Sequence, residues 1–164
     1  MSDVNLRLAH PADAEAIRRI YNVEVEGSTV TFDLVPRSLA EQEAWLEARS
    51  GAMAVVVAEI DDEIVGFGAL SPYRSRPAYS STVEDSVYVR ADHRGTGVGR
   101  ALLTELIDCA ETRGFHSMMA RIVGDHAASI ALHSSLGFEE IGVEREVGRK
   151  FGKWLDVMLM QKML

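Results

Sequence analysis

The chain has 164 residues, 47% of them hydrophobic and 26% charged, enough for one compact core and too few for two comfortable domains. Its formal net charge of -8 argues against a broad nucleic-acid surface, which neutralises phosphates with clustered Lys and Arg; any site for a polyanion must be local. The longest apolar runs, such as residues 52–58, fall short of a membrane span, and the amino terminus has no signal-peptide pattern. A cytoplasmic protein with no nucleic-acid or membrane partner is therefore expected. The single cysteine, Cys109, excludes an intramolecular disulfide and a cysteine-based metal cage, and no metal is expected. It lies in a helical run and reads as a packed thiol rather than a nucleophile.

In chain order, "VNLRLA" (4–9) predicts a short strand, and residues 12–24 a helix with Ile17, Ile20, Tyr21 and Val25 near one face. "STVTFDLVP" (28–36) is loop or extended. Ser38 and Glu41 form an S-x-x-E capping box that predicts a second helix to about Ser50. "AMAVVVAEI" and "EIVGFGAL" around Asp61 and Asp62 read as a β-hairpin. A loop over 71–80 leads to the strand "STVEDSVYVR" (81–90), then a helix from about Gly97 to Arg113, stopped by Gly114. The strand "FHSMMARIV", the helix "AASIALHSSL" stopped by Gly137, the strand "FEEIGVEREV", the turn "GRKFGK" and the strand "WLDVMLMQKM" complete a mixed α/β chain, read as a single domain over 1–164.

Chemistry concentrates at "RGTGVGR" (94–100). A Walker A loop needs G-x-x-x-x-G-K-[S/T], and no such run exists; a dinucleotide fingerprint finds Gly95 and Gly97, but its third glycine falls on Arg100. What remains is Arg94, Gly95, Gly97 and Gly99 at the mouth of a helix. Glycines let a backbone approach a ligand and turn several N–H groups inward, and the helix start adds partial positive charge, which together make a seat for pyrophosphate. Arg90, His93, Arg94 and Arg100 cluster there in an acidic chain. In the strand before the loop, Glu84, Ser86, Tyr88 and Arg90 share one face, with Asp85, Val87 and Val89 on the other. From Glu84 to Arg90 the strand spans about 20 Å, comparable to an extended pantetheine arm, so a thioester could reach Glu84 from a pyrophosphate on the loop.

"HRGTGVGRALL" resembles the R/Q-x-x-G-x-G/A acetyl-CoA loop of the GNAT superfamily of N-acetyltransferases. The segments "TVTF", "SPYRSRPAYSSTVEDSVYV", "AASIALHSSLGF" and "EVGRKFGKWLDVMLMQ" are similar, in order, to the phosphinothricin and methionine sulfoximine acetyltransferase family. The resemblance implies the GNAT acyl-CoA N-acyltransferase fold: α/β, mixed and α+β-like, with a central mostly antiparallel sheet flanked by helices. It implies acetyl-CoA as co-substrate, held by Val87, Tyr88, Val89, Arg94, Gly95, Thr96, Gly97, Val98, Gly99 and Arg100. Ser129 and His126 would add contacts, although the family usually has Asn where His126 stands. It gives Glu84 the role of base that deprotonates the amine. His133 stands where many superfamily members have a Tyr that protonates the departing thiolate, and the narrower family has His there too. Because His donates or accepts a proton near neutral pH, acid and base labels for Glu84 and His133 stay exchangeable.

Arg74 and Arg76 are implied to hold the acid group of a small amino acid analogue, with Phe32 against its side chain and Ser86 nearby. A homodimer with the site near the interface is implied as well. The expected reaction is direct transfer from acetyl-CoA to the α-amine of phosphinothricin, methionine sulfoximine or methionine sulfone. Rival readings are acetylation of protein amino termini or other amines, a non-catalytic acyl-CoA-binding module, and, least favoured, a nucleotide-binding protein.

Overall fold

The computed structural model describes residues 3–49 and 51–164. Its elements run β1 (Asn5–Leu8), α1 (Ala14–Gly27), α2 (Leu39–Glu47), β2 (Val55–Ile60), β3 (Glu63–Pro72), β4 (Thr82–Val89), α3 (Val98–Thr112), β5 (Ser117–Val123), α4 (Ala127–Ser135), β6 (Glu139–Lys150) and β7 (Lys153–Met163). The strands form one sheet in the order β1-β2-β3-β4-β5-β7-β6, antiparallel throughout except for the parallel pair β4–β5.

Local chemistry accounts for most boundaries. Ser38 Oγ accepts the Glu41 N–H while the Glu41 carboxylate accepts the Ser38 N–H, so the capping box starts α2 where the sequence places it. The helix ends at Glu47; its expected end at Ser50 lies outside the described residues. Asp61 and Asp62 both take positive φ in the β2–β3 turn, a pattern that suits a two-residue hairpin loop. The segment "GRKFGK" departs from expectation. Gly148–Lys150 and Lys153 belong to strands, and only Phe151 and Gly152, both at positive φ, make the turn. Two consecutive positive-φ residues suffice to reverse a hairpin, so the polar residues on either side continue the ladder.

The two faces of the sheet bury different helices. On one, Ile17, Ile20, Tyr21 and Val25 of α1 pack on Val55, Val57, Phe67 and Ala69, with Trp45 and Leu46 of α2 alongside. On the other, Val98, Leu102, Leu103 and Leu106 of α3 meet Val56, Leu70, Val83, Met118 and Met160, with Ile130 and Leu132 of α4 at the margin. Helix α3 lies so close to β3 that only glycine fits beneath it. A Cβ at Gly66 would stand 3.0 Å from the Tyr88 carbonyl and 3.1 Å from Leu102 Cδ1.

One irregularity positions everything that follows. Strand β4 pairs with β5 only over Thr82–Glu84 against Ser117–Met119. Beyond Glu84 it stays with β3 as far as Val89, while β5 stays with β7 as far as Val123. The sheet therefore opens between β4 and β5 into a wedge-shaped cleft.

The Gly66 contact yields a test of the packing. Gly66→Ala is expected to lose about 1–3 kcal/mol by overpacking, since the Tyr88 backbone carbonyl and the packed Leu102 side chain must both give way by a few tenths of an ångström. Urea denaturation of the variant beside the wild type measures it.

Candidate active site

The cleft holds a cavity of about 440 Å³ lined on one side by Asp85–Val89 and on the other by Ala120–Val123, with Arg94, Gly95, Gly97, Gly99 and Arg100 at its mouth. His126, Ser129, Leu132 and His133 of the α4 region close its floor. Backbone direction on the β4 wall follows from one hydrogen bond. The Arg90 N–H donates to the Val65 carbonyl at 2.8 Å, so antiparallel alternation turns the polar groups of Tyr88, Ser86 and Glu84 toward β3. Those of Val89, Val87 and Asp85 then point into the cleft. With no strand opposite, the Val87 groups and the Val89 N–H are open to an extended amide-bearing ligand, while the Val89 carbonyl accepts from Arg94 Nε at 3.0 Å.

The mouth is built as an anion seat. Gly95 and Gly97 have φ of 74° and 95°, and an added Cβ would meet nothing within 4 Å, so glycine is needed there for conformation and not for space. Gly97 is the N-cap of α3 and offers no side chain, which leaves the first-turn N–H groups of a 15-residue helix open. Thr96 Oγ donates to the His93 carbonyl at 2.6 Å and pins the loop; neither Thr96 nor Val98 lines the cavity. The arginine cluster divides. Arg90 is tied to Asp92 and Glu63 away from the cleft, Arg100 donates to Ser135 Oγ at 2.8 Å, and Arg94 donates to the Val89 carbonyl at 3.0 Å and pairs with Glu24 of α1.

Glu84 stands at the apex, the last residue of β4 paired to β5. It does not line the cavity; its side chain projects from the opposite face of the sheet to Asp85. Burial raises its pKa above the usual carboxylate range, with Arg121 pulling it back and Asp85 and Glu144 pushing it up. On its side of the sheet Tyr88 stacks on Phe67, with Tyr21 edge-on at 5.2 Å. The Arg121 guanidinium lies 2.7 Å from Glu144 Oε1, yet that oxygen is buried without a hydrogen bond, so the two are close but poorly aligned.

His133 is buried at 4% exposure and has both ring nitrogens engaged. Nδ1 lies 2.8 Å from the Ser129 carbonyl, which can only accept, so Nδ1 carries a proton; Nε2 lies 2.9 Å from Asp85 Oδ2. Burial works against its charge, but the Asp85 hydrogen bond and field and the Ser129 carbonyl outweigh it and raise its pKa. The edge of Phe138 packs on the ring. Asp85 lines the cavity, and its buried Oδ1 has no hydrogen-bond partner among the described residues.

Of the expected site residues, Ser86, Val87, Tyr88, Val89, Arg94, Gly95, Gly97, Gly99, Arg100, His126, Ser129 and His133 come together around the cleft. Phe32 packs on Gly148, where its ring leaves no room for a Cβ. Arg74 and Arg76 lie on the segment between β3 and β4, outside the cavity lining, with Arg74 over the rings of Tyr73 and Tyr79. Reading the sequence passes over Asp85 and Arg121. The signal for Asp85 is a carboxylate on a strand face it shares with Val83, Val87 and Val89. Cys109, as expected, is a helix thiol whose pKa burial raises.

Residues 6–159 match the family model of the acetyltransferase (GNAT) domain. The chain belongs to the GNAT acetyltransferase family. This GNAT chain is 42% identical over 159 residues to the L-methionine sulfoximine/L-methionine sulfone acetyltransferase of Pseudomonas paraeruginosa, a match covering 96% of this chain and 92% of that one. It is similar to the crystal structure of a GNAT superfamily phosphinothricin acetyltransferase from Sinorhizobium meliloti in complex with AcCoA (39% identity, TM-score 0.96, covering 100% and 89% of the two chains). It is equally similar to a ribosomal-protein-alanine N-acetyltransferase from Brucella melitensis (42% identity, TM-score 0.96, covering 98% and 99%).

The His133–Asp85 pair predicts a measurable titration. In the wild type the imidazole should keep its proton above the ordinary value of about 6.5, and in Asp85→Asn burial, opposed only by the Ser129 carbonyl, should push it below that value. Since the folded pKa is the higher one, the pair's stabilisation is complete below about pH 6.5 and is lost as pH rises through the folded value. NMR titration of the His133 ring in both proteins, with denaturation midpoints across the same pH range, checks both statements.

Proposed function

We propose that this GNAT enzyme transfers acetyl from acetyl-CoA to the α-amine of a small amino acid analogue of the methionine sulfoximine, methionine sulfone or phosphinothricin type. The observation that carries the reading is the cleft itself: an anion seat at Arg94–Gly99, an unpaired β4 edge along its wall, and a half-buried carboxylate at its apex. The names of the Pseudomonas and Sinorhizobium relatives support the acceptor class. The first-turn N–H groups of α3 and Arg94 and Arg100 receive the pyrophosphate, and the Val87 and Val89 backbone receives the pantetheine amides. His126 and Ser129 stand beside the arm.

Glu84 acts as base. Its raised pKa brings the carboxylate closer to the operating pH while leaving it ionised enough to take a proton from the substrate ammonium. The freed amine attacks the thioester carbonyl, forming the N–C bond, and the Val87 N–H at the cleft wall stabilises the oxyanion. Collapse breaks the C–S bond, and the second proton shed by the nitrogen as it becomes an amide is returned to the departing CoA thiolate on the side of the cleft where His133 and Asp85 pair. Transfer is direct, because Cys109 lies away from the cleft, its thiol turned to Glu105 Oε1 at 3.9 Å within α3 and its pKa raised by burial.

We propose further that the enzyme works as a cytoplasmic homodimer. Acetyl-CoA dependence supports the location. Exposed Ile141, Val143, Val147 and Trp154 along the hairpin β6–β7 at the sheet edge support the dimer. The Brucella relative's name favours a second acceptor, a protein amino terminus. CoA-thiol release across methionine sulfoximine, methionine sulfone, phosphinothricin, common amino acids, polyamines and amino-terminal peptides separates the two; turnover on peptides alone defeats the first reading. In the same assay Glu84→Gln is expected to lower kcat by about 10²–10⁴-fold while leaving the KM for acetyl-CoA unchanged, the signature of a lost proton acceptor. Unchanged turnover removes Glu84 from the chemistry.

A further inference from the structure

The α-amine and α-carboxylate of an amino acid share a carbon, so donors for the carboxylate must stand close to the base that serves the amine, and an arginine is the strongest of them. Arg74 and Arg76 belong to the segment that precedes β4, on the far side of Glu84 from the opening. Arg121 is placed differently. Its neighbour two residues back, Met119, is the β5 partner of Glu84, and period-two alternation sets Arg121 on the same sheet face as Met119 and Glu84. Two steps along β5 and one strand across put its Cα roughly 8 Å from that of Glu84. It lines the cavity at the point where the strands have parted.

The Arg121–Glu144 pair shows the guanidinium available for exchange. Both side chains are about one-third exposed, at 35% and 33%, and Glu144 Oε1 stays without a hydrogen bond although it lies 2.7 Å from the arginine nitrogen. A guanidinium presents five donors in a planar fork, and the strongest complement to it is a carboxylate met in two parallel hydrogen bonds. Glu144 does not supply that geometry.

We propose that Arg121 is the specificity-determining anchor of the acceptor site: it binds the α-carboxylate of the amino acid substrate in a forked contact, displacing Glu144, and so presents the α-amine to Glu84. This rests on the amino-acid reading given above. Glu144 is then a competitor that holds the arginine extended between turnovers. Substrates with a free α-carboxylate are favoured over the same amines without one, and the preference resides in KM.

The test compares wild type, Arg121→Gln and Glu144→Gln on two acceptors: methionine sulfone, and the bare amine that remains when its carboxylate is removed. Arg121→Gln should raise the KM for methionine sulfone roughly 10- to 100-fold, the loss expected for a charge-assisted contact, and should erase the preference for the acid over the bare amine. Glu144→Gln should move the same KM the opposite way, lowering it by roughly threefold, while the KM for acetyl-CoA stays put in both variants. The partial exposure of both side chains keeps folding out of the comparison. An Arg121→Gln enzyme that retains its KM for methionine sulfone, or loses both acceptors equally, overturns the anchor alone. A wild type that ignores every free amino acid overturns the amino-acid reading and the anchor with it.

Discussion

The structure depends on a strand pairing that stops early. Three residues of parallel ladder join β4 to β5, and beyond Glu84 each strand keeps only its other neighbour. A sheet interior cannot leave backbone N–H and C=O groups unmet at small cost; each buried orphan forfeits roughly a hydrogen bond's worth of desolvation. The opening is tolerated because it faces a cavity and because the helices on both sides hold the strands apart. Helix α3 is pressed onto β3 through Gly66 and Gly68, and α4 reaches under β4 through His133. The unpaired edge is thus a built-in request for a ligand with amides at strand spacing.

Alternation along β4 then separates two chemistries that are adjacent in sequence. Glu84 projects to the side of α1 and α2, where burial raises its pKa and Arg121 limits the rise. Asp85 projects to the side of α3 and α4, where it holds the His133 proton. One peptide bond thus carries a carboxylate of raised pKa on one face of the sheet and the His133–Asp85 pair on the other. A reaction that withdraws a proton from an amine and returns one to a thiolate has use for that separation.

What the sequence made legible and what it hid divide along physical lines. Gly95 and Gly97 could be read because a left-handed backbone at a helix start admits few residues but glycine, and the capping box at Ser38 because it is local. The strand face that Glu84 shares with Ser86 and Tyr88 could be read from period-two alternation. The face of α1 that buries Ile17, Ile20, Tyr21 and Val25 was equally plain. Asp85–His133 spans 48 residues, and neither member signals the other. Arg121 looked like one polar residue in an apolar strand; its meaning comes from a β4–β5 register that only the fold defines. For Arg74, Tyr73 and Tyr79 supply aromatic faces that give the guanidinium a local partner, which side-chain type alone does not foretell. The "GRKFGK" turn was drawn too wide because Gly and Lys punctuate loops on average, whereas here the ladder continues beneath them.

The charge arrangement of the cleft follows from the same economy in an acidic protein. Its two cavity-lining arginines that form ion pairs each face a carboxylate of the chain itself: Arg94 meets Glu24 of α1 at the mouth, and Arg121 meets Glu144 of β6 near the apex. Exchanging one carboxylate partner for a ligand anion changes the local net charge of the arginine's contacts very little, so Coulomb attraction alone does not set affinity at either end. Geometry does. In the proposed complex a pyrophosphate would meet Arg94 together with the open N–H groups of α3, and an α-carboxylate would meet Arg121 in the fork that Glu144 misses. On this reading the acidic partners hold the arginines in place and make a poorly fitting anion unprofitable to bind, which turns two ordinary ion pairs into the selectivity of the site.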